Sequence, residues 1–171
     1  MTEPFDAIRT QRCRISPLEE DDAEALQAIT DASVTSHIHF LSEPFTVADA
    51  RALIGSNQEH RFFGVWDSVR TDLRGVIGVH LTHDREIEVG YWFSTGARGK
   101  GLATEAVRAM VRDLAILHPE RRIIAECHPD NRRSWALLER IGFTPTHKAG
   151  ARPGRMVLSW NAQANYRIDV C

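Results

Sequence analysis

Residues 94 to 106 read STGARGKGLATEA. Three glycines and two basic residues fall within the eight positions from Gly96 to Ala103. A helical pattern follows at once: Ala103, Val107, Met110, Leu114 and Leu117 recur at spacings of 4, 3, 4 and 3. This spacing places them on one buried helix face. A helix start carries unpaired N–H groups and about half a positive charge. Glycines ahead of it permit positive φ and let a ligand approach the main chain. Arg98 and Lys100 add charge, and such a place suits phosphate or pyrophosphate. A plain strand-to-helix turn with solvated basic residues is the competing reading.

Two nucleotide motifs fail on inspection. A P-loop needs Gly-Lys-Ser/Thr at its end, and Gly101 is followed by Leu102. A dinucleotide fingerprint finds Gly99 and Gly101 but meets Thr104 where a third glycine belongs.

Strand signals precede the loop. RFFGVWDS, GVIGVHLTH and REIEVGYWF follow one another at roughly ten-residue spacing with turn residues between, and predict an antiparallel meander. Upstream, RCRIS (12–16) reads as a short strand closed by Pro17. EEDDAEALQAIT (19–30) and VADARALIGSNQ (47–58) read as helices, the second capped by Thr46, with 33–45 irregular. Downstream, Pro119 ends the long helix, and RIIAECH reads as a strand. NRRSWALLERI reads as a helix stopped by Gly142, and RMVLSW as a last strand. A strand–helix–strand crossing over 86–127 implies one parallel pair in a mostly antiparallel sheet. The expected fold is α/β (α+β), one domain over residues 1–171, with about four helices.

Composition narrows the function. The chain has 171 residues, 43% hydrophobic and 26% charged, with a formal charge of -2. This is ordinary globular usage and offers no general basic surface for nucleic acid. Cys13, Cys127 and Cys171 are far apart and odd in number, which argues for reduced thiols in the cytoplasm. No membrane run and no signal peptide is apparent in the sequence. The eight histidines show no metal-ligand spacing, so no metal is expected.

Arg98-Gly99-Lys100-Gly101-Leu102-Ala103 matches the [Q/R]-x-x-G-x-[G/A] signature of the GCN5-related N-acetyltransferase (GNAT) superfamily. With EVGYWF before it, HPDNRRSWALLERIGF after it and TQRCRISPLEEDDAEAL at the start, the chain resembles the RimJ/RimL-type ribosomal-protein N-acetyltransferases. The resemblance covers about residues 10 to 145. It implies that acetyl-CoA is the co-substrate. Its pyrophosphate would lie on the N–H groups from Arg98 to Thr104, including Gly99, Lys100, Gly101, Leu102 and Ala103. The pantetheine arm would pair with the backbone of Trp92 and Phe93 like an added strand, with a bulge at Gly90, and Asn131 would hydrogen-bond it.

The same resemblance makes Glu88 the residue that helps the acceptor amine lose its proton, with Glu86 as rival. Ser134, in Asn131-Arg132-Arg133-Ser134, would protonate the departing thiolate, because Leu138 stands where many relatives outside the branch carry tyrosine. Cys127 and His128 read as structural, and His37 and His39 as loop residues lining the acceptor cleft. The implied acceptor is a protein N-terminal amine. A small amine such as an aminoglycoside, polyamine or amino acid remains open, as does an acyl-CoA-binding module without catalysis. A homodimer is compatible with the branch. The segment after residue 147 departs most from the branch pattern.

Overall fold

The computed structural model describes residues 7–38, 40–56 and 59–162. The expected meander forms as β3 (His60–Asp67), β4 (Leu73–Leu81) and β5 (Glu86–Phe93). Before it lie β1 (Ile8–Arg9) and β2 (Cys13–Pro17), and after it β6 (Arg122–Cys127), β7 (Phe143–Ala149) and β8 (Met156–Trp160). The eight strands make one sheet in the order β1-β2-β3-β4-β5-β6-β8-β7. Among the described strands only β5 and β6 run parallel, as the crossover predicted.

The helices are α1 (Ala23–Ile29), α2 (Ala32–Thr35), α3 (Val47–Ile54), α4 (Leu102–Leu117) and α5 (Arg132–Arg140). Strand alternation divides their burial between the two faces of the sheet. Ile77, Val79, Ile87, Val89 and Phe93 meet Val107, Met110 and Leu114 of α4 and Leu138 of α5. Phe62, Val76 and Trp92 on the other face meet Leu26 of α1, Val34 of α2 and Ala50 of α3. Each face therefore carries its own core, and chemistry placed between β5 and β6 can be served from both.

Several expectations are corrected. The helix predicted from residue 19 opens as a 3-10 turn (Glu20–Asp22), where buried Asp22 accepts the Glu19 N–H and pairs with Arg70, each at 2.9 Å. The irregular stretch contains α2, whose start Asp31 caps by accepting from the Ser33 N–H. That makes five α-helices among the described residues, where about four were expected. The helix at Val47 stops at Ile54 before Gly55, and positions 57–58 lie outside the described residues. β1 and β7 carry no legible pattern: β1 is two residues long, and β7 is interrupted by Pro145 and a register shift. Leu117 does not face the core; it is 55% exposed at the C-terminal end of α4. Gly90 makes no bulge, since β4 and β5 pair in unbroken register from Gly75↔Phe93 to Leu81↔Ile87.

Gly75 is the tight point of that register. A Cβ there would lie 2.3 Å from the Phe93 ring, which occupies the space beside the bare backbone. Gly75→Ala is expected to displace Phe93 and destabilise the chain by about 1–3 kcal/mol. A thermal melt of the variant checks this, and an unchanged midpoint would show that the ring is free to yield.

Candidate active site

Past Phe93 the chain makes a 3-10 turn (Thr95–Ala97) and then the glycine loop. Gly99 and Gly101 have φ of 76° and 75°, a region costly for any residue with a Cβ. Gly101 is the N-cap of α4, and no side chain among the described residues caps the helix. The first-turn N–H groups of Leu102, Ala103 and Thr104 are thus left for solvent or a ligand.

The loop is clamped from residues the sequence did not single out. Arg12 donates through Nη1 to the Lys100 carbonyl at 2.7 Å and through Nε to Glu105 at 2.6 Å. Thr10 donates its hydroxyl to Glu105 at 2.6 Å. Burial opposes the charge on Glu105, yet bonds from Thr10 and Arg12 outweigh it and hold the carboxyl below its usual range. The Arg98 side chain is also spoken for: Nε donates to the Phe93 carbonyl at 3.2 Å and Nη2 to the Ser33 hydroxyl at 3.1 Å. It braces the loop against α2, whereas Lys100 is exposed. An open cavity of about 520 Å³ adjoins Gly101 and Thr104 on the outer side of α4, and Arg12, Arg108, Arg112 and Arg140 line it.

β5 and β6 pair only at Glu86↔Arg122, Ile87↔Ile123 and Glu88↔Ile124. Beyond that point each strand continues without the other, so a gap opens between Val89–Phe93 and Ala125–Cys127. On the α4–α5 face of this gap sits Tyr91, whose hydroxyl is 2.8 Å from the Ser134 hydroxyl. Burial pushes the Tyr91 phenol well above its usual value of 10, so it stays protonated. Asn131 caps α5 by accepting from the Ser134 N–H at 3.3 Å, which aims that serine. The Cys127 thiol completes the cluster. Burial raises its pKa, with a hydrogen bond from Ser134 in partial opposition, so it remains a thiol. Trp92 and Phe93 are both buried, and Trp92 Nε1 donates to Thr30 at 3.2 Å.

The opposite face carries the carboxylates. Glu88 accepts from Arg152 Nη2 at 2.8 Å, and Glu126 lies 3.8 Å from Nη1 of the same guanidinium. Its rival Glu86 pairs with Arg122 at the closed end of the strand pair. His80 pairs across the strands with Glu88 and lies on its side of the sheet, its Nδ1 3.1 Å from Nδ1 of His60. Burial, then His60 and Arg152, lower the His80 pKa to about 4. His37 is exposed beside Ser36, and His128 accepts the Asp130 N–H at 3.1 Å, while His39 and Cys171 lie outside the described residues.

The structure therefore gathers Glu88 and Ser134 at one gap, on opposite faces. Tyr91, Arg152, Glu126 and His80 were missed. Tyr91 had a signal, since its odd register from Glu88 puts it on the face of the following helix. Arg152 had none, because its loop has no periodicity.

Residues 12–144 match the acetyltransferase (GNAT) domain. The chain belongs to the GNAT family of acetyltransferases, and is an acyltransferase enzyme. It is 27% identical over 140 residues to the uncharacterized N-acetyltransferase YnaD of Bacillus subtilis (strain 168), covering 80% of this chain and 81% of that one. A 74-residue stretch is 30% identical to the ribosomal-protein-serine acetyltransferase of Escherichia coli (strain K12), 42% of this chain and 41% of that one. That partial match is of the same RimJ/RimL type that the motifs resemble. The fold superposes with a TM-score of 0.79 on RimL, a ribosomal L7/L12 alpha-N-protein acetyltransferase in complex with coenzyme A, at 16% identity over 93% of this chain and 99% of that one.

A neutral, partly buried His80 has a consequence for pH. Its folded pKa lies below the unfolded 6.5, so the unfolded chain binds more protons between these values. This contribution to stability is complete above about pH 6.5 and is lost as pH falls toward 4, at up to about 1.4 kcal/mol per unit. Proton NMR should find the His80 ring titrating near 4; titration near the unperturbed value would refute the burial argument.

Proposed function

We propose that the chain transfers acetyl from acetyl-CoA to the N-terminal α-amine of a protein or peptide. The observation that carries this reading is the gap beyond Glu88 and Ile124, with the uncapped start of α4 at one end and polar groups on both faces. The coenzyme A in the RimL complex supports the donor, and the ribosomal-protein-serine acetyltransferase supports the acceptor class.

The residues fit the donor. Backbone N–H groups at Gly99–Thr104 with an uncapped helix start suit a pyrophosphate. The arginine-lined cavity beside them suits further phosphate. Unpaired backbone of β5 beyond Glu88 suits an extended amide-bearing arm. Trp92 and Phe93 then act through main chain, their rings being committed to the two cores.

The roles follow from position. The acceptor approaches from the Glu88 face, and Glu88 takes the proton its ammonium must lose, directly or through water. An α-amine has a reference pKa of about 7.7–8.0 and needs little help, whereas a lysine amine near 10.4 needs much more. The neutral amine attacks the thioester carbonyl, the C–N bond forms and the C–S bond breaks. Ser134, aimed by Asn131 and Tyr91, donates to the departing sulfur. Tyr91, kept protonated by burial, fixes the serine rather than yielding its own proton. Arg152 and Arg155 beside the acceptor face disfavour polycationic drugs and polyamines as acceptors.

Thiol release from acetyl-CoA tests this reading with peptides opening on Ala, Ser, Met or Asp, beside aminoglycosides, polyamines and amino acids. Glu88→Gln and Ser134→Ala should each lower kcat on the best peptide by about 10- to 1000-fold. Gly101→Ala should chiefly raise KM for acetyl-CoA. Wild-type turnover in both active-site variants would remove the assigned roles. Tight acetyl-CoA binding with no acceptor acetylated would point instead to a sensor.

A further inference from the structure

The acceptor face is closed by its own charges. Arg152 spans Glu88 at 2.8 Å and Glu126 at 3.8 Å, with the side chains of Arg152 and Glu88 27% and 15% exposed. The residues that deliver this guanidinium, 150–155 between β7 and β8, are held without its help. Glu126 accepts the N–H of Ala151 at 2.8 Å, and Arg155 Nη2 donates to the His37 carbonyl at 2.9 Å. A Cβ on Gly150 would lie 2.7 Å from the Glu126 carboxylate, so glycine lets this strap rest directly on the acid.

We propose that Arg152 determines acceptor specificity by binding a carboxylate that lies close to the reacting amine. The acceptor chemistry is that of a short zwitterion: a peptide opening on Asp or Glu, or an α-amino acid. This deepens the N-terminal acetylation reading and rests on its assignment of the acceptor face. The reason is charge conservation. A lone ammonium reaching Glu88 must displace Arg152 and leave a partly buried guanidinium poorly paired. The groups facing it compensate only in part, through Glu126 at 3.8 Å. Glu126 stays at this longer distance because it is held by the Ala151 and Arg152 N–H groups, His80 is neutral near pH 7, and Arg155 carries the same charge as Arg152. An acceptor with its own carboxylate exchanges partners instead. Its ammonium takes Glu88 and its carboxylate takes the planar fork of Arg152, for which two parallel N–H donors are well shaped. One ion pair opens and two form.

The test uses full-length enzyme, acetyl-CoA and matched peptides beginning Asp or Asn, which differ in charge and little in shape, with a Ser peptide as neutral reference. Free aspartate and its α-amide form a second pair. Wild type should favour Asp over Asn by about tenfold or more in kcat/KM, mainly through KM. Arg152→Met should bring the ratio to within about twofold, and Arg152→Lys should keep part of it. Melting and acetyl-CoA binding report folding of each variant. Should Arg152→Met unfold, the wild-type ratio and Arg152→Lys decide. Equal use of Asp and Asn peptides by wild type, or a preference that survives Arg152→Met, overturns the inference and leaves peptide acetylation standing. Turnover of free aspartate over its amide, lost in Arg152→Met, with no peptide used, sustains the inference and overturns the peptide reading. No turnover of any of these acceptors overturns both.

Discussion

The parallel pairing of β5 and β6 stops after three residue pairs, and the site depends on that stop. Had the strands stayed together to Phe93, the backbone groups of Val89–Phe93 would be satisfied within the sheet, with no gap for an arm to enter. The separation must be enforced from outside, because unpaired strand edges otherwise find partners. Here β6 is drawn to β8 along Ile124–Cys127, while β5 stays in register with β4 to its last residue. Each strand is held on its far edge, and the opening between them persists.

The same opening explains why the two polar clusters do not interfere. Ser134, Tyr91 and Cys127 share the face covered by α4 and α5, while Glu88, Glu126 and Arg152 share the other. A carboxylate and its guanidinium beside a partly buried tyrosine would alter its ionisation strongly. Separated by the thickness of the sheet, the phenol answers mainly to burial, and the Glu88 carboxylate keeps its own partner.

The donor half was legible because its chemistry is local. Gly99 and Gly101 need positive φ, the Ala103–Leu114 spacing needs a helix, and both can be seen in a few consecutive residues. Their clamp was not, since Arg12 and Glu105 are 93 positions apart and nothing local couples them. Glu88 was found through the motif around it, but its partner Arg152 is 64 positions away, on a loop without periodicity. The strand at Phe143–Ala149 was hidden for a different reason: Pro145 breaks the pattern, and the positive φ of His147 falls within it. The Gly90 bulge, carried over from relatives, failed because the gap arises from β6 leaving, with no extra residue in β5.

In the proposed mechanism strand β5 would address two reaction partners with one alternating row of side chains. Glu88 points to one face and Tyr91 to the other, and the parity of the residues between them decides which is which. A single inserted or deleted residue between them would keep every local contact plausible and still turn one of the pair away from its cluster. The strand should therefore tolerate substitution far better than any change in length. The strap at 150–155 obeys the opposite rule: it is seated on Glu126 through backbone groups and can exchange side chains while the reacting centre keeps its frame. Acceptor preference in this architecture can drift by substitution at the strap, while the chemistry of transfer remains locked to the reading frame of one strand.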